Sequence, residues 1–196
     1  MTTKTLLRLS ALAPLALLAG CISLGGKTPD SLLTLTPEAV APAGTTASAS
    51  QSTSLAMTPF EAPAALNVTR VPVQVTDTEI AYLKDAVWVE KPADLLRRLI
   101  AETIRASSGR LVVDGDDPGV LAVDRVQGTL RTFGYDARTS EVVVVFDAAR
   151  GGEGSVVSTR RFEARIPGVA AETAAVGPAL NRAANDVARQ VAAWVG

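Results

Sequence analysis

The sequence predicts an α+β fold, a mainly antiparallel sheet with two helices packed on it, preceded by a leader and a flexible tether. Three observations predict it. Short alternating or continuous apolar runs recur through the second half, separated by Gly-, Pro- and Asp-rich breaks. Two longer segments, near Pro92 and near Ala170, place apolar residues at spacings of three and four. The chain is 47% apolar, enough for a core, yet its 196 residues are too few for two ordinary domains once leader and linker are set aside.

Lys4 and Arg8 open the chain, followed by an apolar run from Leu9 to Leu18 that is too short for a transmembrane span of about 20 residues. A short positive head, an apolar stretch and small residues before a cut site make a secretory leader. Its end, Leu18-Ala19-Gly20-Cys21, resembles the lipobox of bacterial lipoproteins. That resemblance implies removal of residues 1–20, diacylation of the Cys21 thiol and acylation of the new amino terminus. At about 0.8 kcal/mol per buried methylene, several acyl chains anchor far more firmly than one. Ile22 follows the cysteine where aspartate would favour inner-membrane retention, so the outer membrane is the implied destination. Loss of Lys4 and Arg8 leaves 17 basic against 20 acidic residues, a formal charge of −3, so attachment rests on acyl chains and not on charge.

Residues 21–64 are read as the lipidated terminus, a short strand and a linker, and 65–196 as the α+β domain. Ser31 to Thr36 is strand-like and reads as an edge strand that returns to pair with the domain, or else as sticky linker. From Pro37 to Pro63 the chain is rich in Ala, Ser, Thr and Pro with no apolar period, which reads as a flexible tether. Leu66, Val68, Val71, Val73 and Val75 form a strand, with Pro72 marking an edge or bulge. Thr78 to Glu90 reads as a short strand pair about a Lys84-Asp85 turn. Pro92 suits a first helical position, and Leu95, Leu96, Leu99, Ile100, Thr103 and Ile104 share one face of a helix closed by Ser107-Ser108-Gly109. Strands follow at Arg110–Asp114, Leu121–Tyr135, Glu141–Arg150 and Ser155–Arg165. The run Val142–Phe146 is apolar on both faces and so is placed centrally. Ala170 to Val195 is helical, beginning near Pro178 or kinked there.

In that order these segments resemble the ABC-type transport auxiliary lipoproteins over roughly residues 30 to 195. The likeness is carried by the lipobox cysteine, Leu33-Thr34-Leu35-Thr36-Pro37, Ile80-Ala81-Tyr82, Ala86-Val87-Trp88-Val89-Glu90 and the closing Ala183 to Trp194. The resemblance implies a periplasm-facing lipoprotein at the outer membrane. Its implied partners are an MCE-domain substrate-binding protein and that protein's ABC permease and ATPase, which move phospholipid or another hydrophobic substrate across the envelope. It also implies ring assembly with the MCE-domain partner, and homo-oligomerisation stays open.

The composition narrows the chemistry. With no histidine and one cysteine, the Ser-His-Asp, Cys-His and histidine-bearing zinc sites are excluded, and so is an internal disulfide. Nineteen basic against 20 acidic residues argue against nucleic acid as a partner. No phosphate loop occurs, since Gly151-Gly152-Glu153-Gly154 lacks the lysine, and Asp114 to Asp117 reads as a turn rather than a calcium loop. No enzyme, metal or cofactor is expected. Tyr82, Trp88 and Trp194 are candidate partner-binding aromatics, with core packing as the competing reading. Two other classes of function stay open: a lipoprotein that regulates cell-wall synthesis, and a lipid-binding chaperone. A 27-residue tether reaches only about 25–30 Å, which weighs against spanning the periplasm to the wall synthases.

Overall fold

The computed structural model describes residues 30–50, 53–114, 122–152 and 156–196. Ser31–Gly196 form one compact unit. Its elements in chain order are β1 (Leu55–Met57), β2 (Arg70–Gln74), β3 (Ile80–Val87), α1 (Pro92–Ser108), β4 (Val112–Asp114), β5 (Asp124–Asp136), β6 (Glu141–Gly151), β7 (Ser158–Ile166) and α2 (Thr173–Val195).

Both expected helices lie against one sheet, but the sheet is mixed. Strands β5, β6 and β7 form an antiparallel meander. Along the other edge of β5 the chain runs parallel to it, first as β1 and then as β2. Glu61 bridges Thr129 between them. β4 pairs parallel with the outer side of β1, and β3 pairs antiparallel with β2.

The stretch read as a tether therefore contributes a strand and part of the core. Leu55 and Met57 are buried, and Phe60 packs on Phe146 at 4.5 Å. The Ser/Thr/Ala composition hides this because β1 is only three residues long and depends on partners more than fifty positions later.

Thr78–Glu90 is likewise one strand rather than a pair. Its Lys84-Asp85 step is a bulge: Asp85 adopts φ 56°, and the register with β2 slips between Arg70 and Pro72.

Local chemistry explains the other elements. Pro92 starts α1 at the position where a missing N–H costs nothing, and Gly109 ends it at φ 63°. The face Leu95, Leu96, Leu99, Ile100, Thr103 and Ile104 is buried, as the period requires. In β5, Val126 and Leu130 face the helices. A bulge between Leu130 and Thr132 resets the alternation, so that Phe133 and Tyr135 face them too. β6 is central, and Val142–Phe146 are all buried. α2 begins at Thr173, five residues before Pro178, so the helix accommodates the proline instead of starting at it.

Candidate interaction site

Three regions of the surface carry organised polar chemistry. The first is a strap, residues 31–41, laid over the helices. Leu33 pairs with the end of β3, its N–H donating to Val87 O at 2.7 Å and its carbonyl accepting from Val89 N at 2.8 Å. The expected returning strand is thus present as a single bridge to Trp88. The Leu33 side chain lies over Gly177, where an added Cβ would stand 2.8 Å from its Cδ2. Beyond it the backbone is held by two asparagines of α2. Thr36 N donates to Asn181 Oδ1 at 2.8 Å and Glu38 N to Asn185 Oδ1 at 2.9 Å. Asn185 Nδ2 donates in turn to Thr36 O at 3.0 Å and Asn181 O at 2.9 Å. Ala41 N reaches Glu102 Oε1 on α1 at 2.9 Å. Sequence reasoning passed over Asn185, although an asparagine between Ala184 and Val187 on an apolar helix face was the signal available.

The second region is the sheet face that carries no helix. Asp147 accepts from Arg161 at 2.6 Å and 2.8 Å and from Arg131 at 2.9 Å. The Arg161 hydrogen bond, acting against desolvation, and then Arg131 hold its carboxyl down at about 2. Such a carboxylate is a fixed acceptor and does not exchange a proton near neutral pH. Arg165 pairs with Glu141 and Glu163, and Arg138 with Asp136 and Asp77. Beside this ladder the loop at Thr58–Glu61 walls an open cleft of about 710 Å³, lined mainly by Gln127, Thr129, Asp147, Thr159 and Arg161.

The third region is the end where both helices finish. Asp124 accepts from Arg110 at 2.8 Å and from Arg150 at 2.8 Å, and the same arginines donate to Val195 O at 3.1 Å and Trp194 O at 3.4 Å. Burial would raise the Asp124 carboxyl, but the Arg150 and Arg110 hydrogen bonds outweigh it and the group lies below its ordinary value. Two cations thereby complete the carbonyl end of α2.

The aromatic candidates are not brought together. Trp88 is 1% exposed and packs edge-on against Phe133 at 5.4 Å, so it belongs to the core and not to a surface. Among the described residues its indole Nε1 has no hydrogen-bond partner. Tyr82 is half-buried on β3, with Arg70 stacked 4.4 Å from its ring and its hydroxyl donating to Ala65 O. Trp194 is half-buried in the last turn of α2, 5.5 Å from Phe162. Arg160 lies over Phe162 while Arg161 crosses to the helix-free face, as strand alternation requires. Asp114 pairs with Arg97, and Asp116 and Asp117 lie outside the described residues. Leu18, Ala19, Gly20 and Cys21 also lie outside them. Among the described residues no group of three or more His, Cys, Asp or Glu is placed to hold a metal ion. No helix among them is long and apolar enough to cross a membrane.

A family model described as ABC-type transport auxiliary lipoprotein component matches residues 33–192. The crystal structure of protein XCC0632 from Xanthomonas campestris, of family DUF330, superposes with a TM-score of 0.68 at 20% identity, covering 84% of this chain and 94% of that one. A second crystal structure, of an uncharacterized protein, gives 0.64 at 12% identity over 85% of this chain and 100% of that one. These two share the fold. The PelC dodecamer from Paraburkholderia phytofirmans scores only 0.40 at 11% identity, covering 78% of this chain and 93% of that one, too distant to bear on this chain's assembly. No curated protein matches significantly.

Proposed function

Because the chain belongs to the ABC-type transport auxiliary lipoprotein family, we propose that it is held at the periplasmic face of the outer membrane by acyl chains on Cys21. There it serves as the docking component of an MCE-type ABC transporter that moves phospholipid or another hydrophobic substrate. The strap carries this reading. It clamps the chain from Leu33 onward against α2 and β3, so only the nine residues 22–30 separate the cysteine from the compact unit. Ten peptide steps span at most about 36 Å, so an acylated Cys21 keeps the unit close to its bilayer. The cleft on the helix-free face mixes polar and charged side chains such as Gln127, Asp147 and Arg161 with Pro59, Ala148 and Ala149, which suits contact with another protein.

Fractionation of cells expressing the wild-type chain and Cys21→Ser, with mass spectrometry of Cys21, tests the anchor. We expect an acylated wild type in the outer membrane and a soluble variant. Affinity purification from solubilised envelopes tests the partner, and we expect the MCE-domain protein to co-purify. A bare Cys21 thiol on a soluble wild-type product overturns the anchor, and failure of the MCE-domain protein to co-purify overturns the docking role.

A further inference from the structure

We propose that the part of the helix-free sheet face around Ile80, Val143 and Val145 is where the MCE-domain protein docks, by inserting an apolar side chain that has lysine or arginine beside it. This rests on the docking role above and adds where the contact lies and what chemistry the partner presents.

The bulge in β5 creates the site. Past it Phe133 and Tyr135 face the helices, so Thr132 and Gly134 turn to the opposite face. Across the ladder they stand against Val145 and Val143, and these in turn against Glu163 and Arg165 of β7. On the other side of β5, Gln74 lies beside Asp136, and Ile80 lies opposite Gln74. Register therefore puts these residues on one face, where Pro72, Ile80, Thr132, Val143 and Val145 surround a hollow of about 200 Å³. A Cβ added to Gly134 would stand 2.4 Å from Pro72 O, so only glycine fits there and no side chain fills the space between Pro72 and Val143.

Val143 and Val145 point away from both helices, yet they are only 5% and 8% exposed. The aliphatic stems of Arg138 and Arg165, which line the same hollow, cover them on a face that has no helix. Ile80, on the outer strand β3, is 46% exposed. An apolar hollow with a large apolar side chain bare at its margin suits a side-chain anchor from another protein.

Size and charge select the occupant. Sites for small organic ligands run to about 300–1,000 Å³, so this hollow takes one side chain and not an acyl chain. At its rim Arg138 pairs with Asp136 and Asp77, and Arg165 with Glu141 and Glu163. Arg70, stacked on the Tyr82 ring opposite Pro72, is a third guanidinium at the margin. Four carboxylates thus outnumber three arginines. The Arg138 hydrogen bond, acting against desolvation, holds the Asp136 carboxyl below its ordinary value, so this part of the rim stays charged at neutral pH. Farther along the face the balance reverses, because Asp147 is shared by Arg131 and Arg161. An acidic rim around an apolar hollow complements an apolar side chain next to Lys or Arg, and it repels the anionic headgroups of a bilayer.

The test uses the full lipidated chain in native envelopes with the MCE-domain protein tagged. A photo-crosslinking amino acid is placed at Ile80 and, separately, at Arg182, an exposed position on α2. We expect the adduct with the MCE-domain protein from position 80 and not from 182, and Lys or Arg beside an apolar residue in the crosslinked segment. Ile80→Asp should lower co-purification of that protein at least about tenfold. Asp77→Lys, at a side chain that is 90% exposed, should lower it at least about threefold. Arg182→Glu should leave it unchanged, and all three variants should melt as wild type. No adduct from 80 while wild type still brings down the MCE-domain protein overturns the surface and leaves the docking role standing. So does a crosslinked segment without Lys or Arg, unchanged co-purification by Ile80→Asp, or tighter binding by Asp77→Lys. An adduct from 80 only to a second copy of this chain overturns it too, as does binding of Cys21→Ser protein to phosphatidylethanolamine–phosphatidylglycerol vesicles that Ile80→Asp abolishes. If wild type brings down no MCE-domain protein, the docking role falls and this surface falls with it.

Discussion

Replacing Asn185 with alanine should release the strap while leaving the rest of the fold in place. The side chain is 2% exposed and makes two hydrogen bonds to the strap, one from Glu38 N and one to Thr36 O. At about 0.5–1.5 kcal/mol net for each, the strap loses about 1–3 kcal/mol of local stability. Since about 1.4 kcal/mol is tenfold, the Glu38 amide should exchange about 5- to 150-fold faster with deuterium under conditions where exchange reports the opening equilibrium. Amides inside α1, such as that of Ile104, should keep their protection. The Thr36 amide should respond less, because Asn181 still accepts from it. Hydrogen exchange by NMR or mass spectrometry reads all three. Unchanged Glu38 exchange would refute the idea that Asn185 clamps the chain. Equal acceleration in α1 would mean that the residue serves global stability and not the strap.

Asp124→Asn should cost about 1–3 kcal/mol in urea denaturation, because Arg110 and Arg150 would then face each other beside the α2 carbonyls without a charge between them; a loss below a few tenths would refute the arrangement. Asp147 lies in the fold at about 2 against an ordinary 3.8, so the unfolded chain binds more protons between those values. Its contribution to stability is present above about pH 4 and fades as pH falls toward 2, and Asp147→Asn should flatten that part of the acid limb. Gly128→Ala should lower stability by about 1–3 kcal/mol in the same assay, since the new Cβ would meet Phe146 Cζ at 2.3 Å and the Asp147 carbonyl oxygen at 2.7 Å. Trp88→Phe should remove the blue-shifted part of the fluorescence and leave the redder emission of half-exposed Trp194, whereas Trp194→Phe should do the reverse.

The legible parts of the fold were those set by local chemistry. Pro92 and Gly109 bracket α1, the period of three and four marks its buried face, and the run at Val142–Phe146 places β6 between two strands. What stayed hidden depends on contacts distant in the chain. Leu55–Met57 has no local signal strong enough to stand out from its Ser/Thr surroundings, and its strand exists because β4 and β5 accept it. The Asp85 bulge looked like a turn because the left-handed conformation that allows a bulge also allows a hairpin. The surface chemistry was similarly divided. Tryptophan alone does not distinguish core from interface, and only the packing of Trp88 on Phe133 decides it.

The seat of β1 between β4 and β5 also dictates a sequence of events in time. Leu55–Met57 is synthesised early, but its partners, Val112–Asp114 and Asp124–Val126, emerge more than fifty residues later. The helix that covers β6 and β7 ends one residue before the last. The nascent chain thus has little to gain from closing its core until α2 has been made, because long-range pairing must meet its loop-closure cost first. A chain trimmed to begin at residue 65 would lack the strand that fills this gap. It would leave the facing edges of β4 and β5 bare and prone to join those of other molecules.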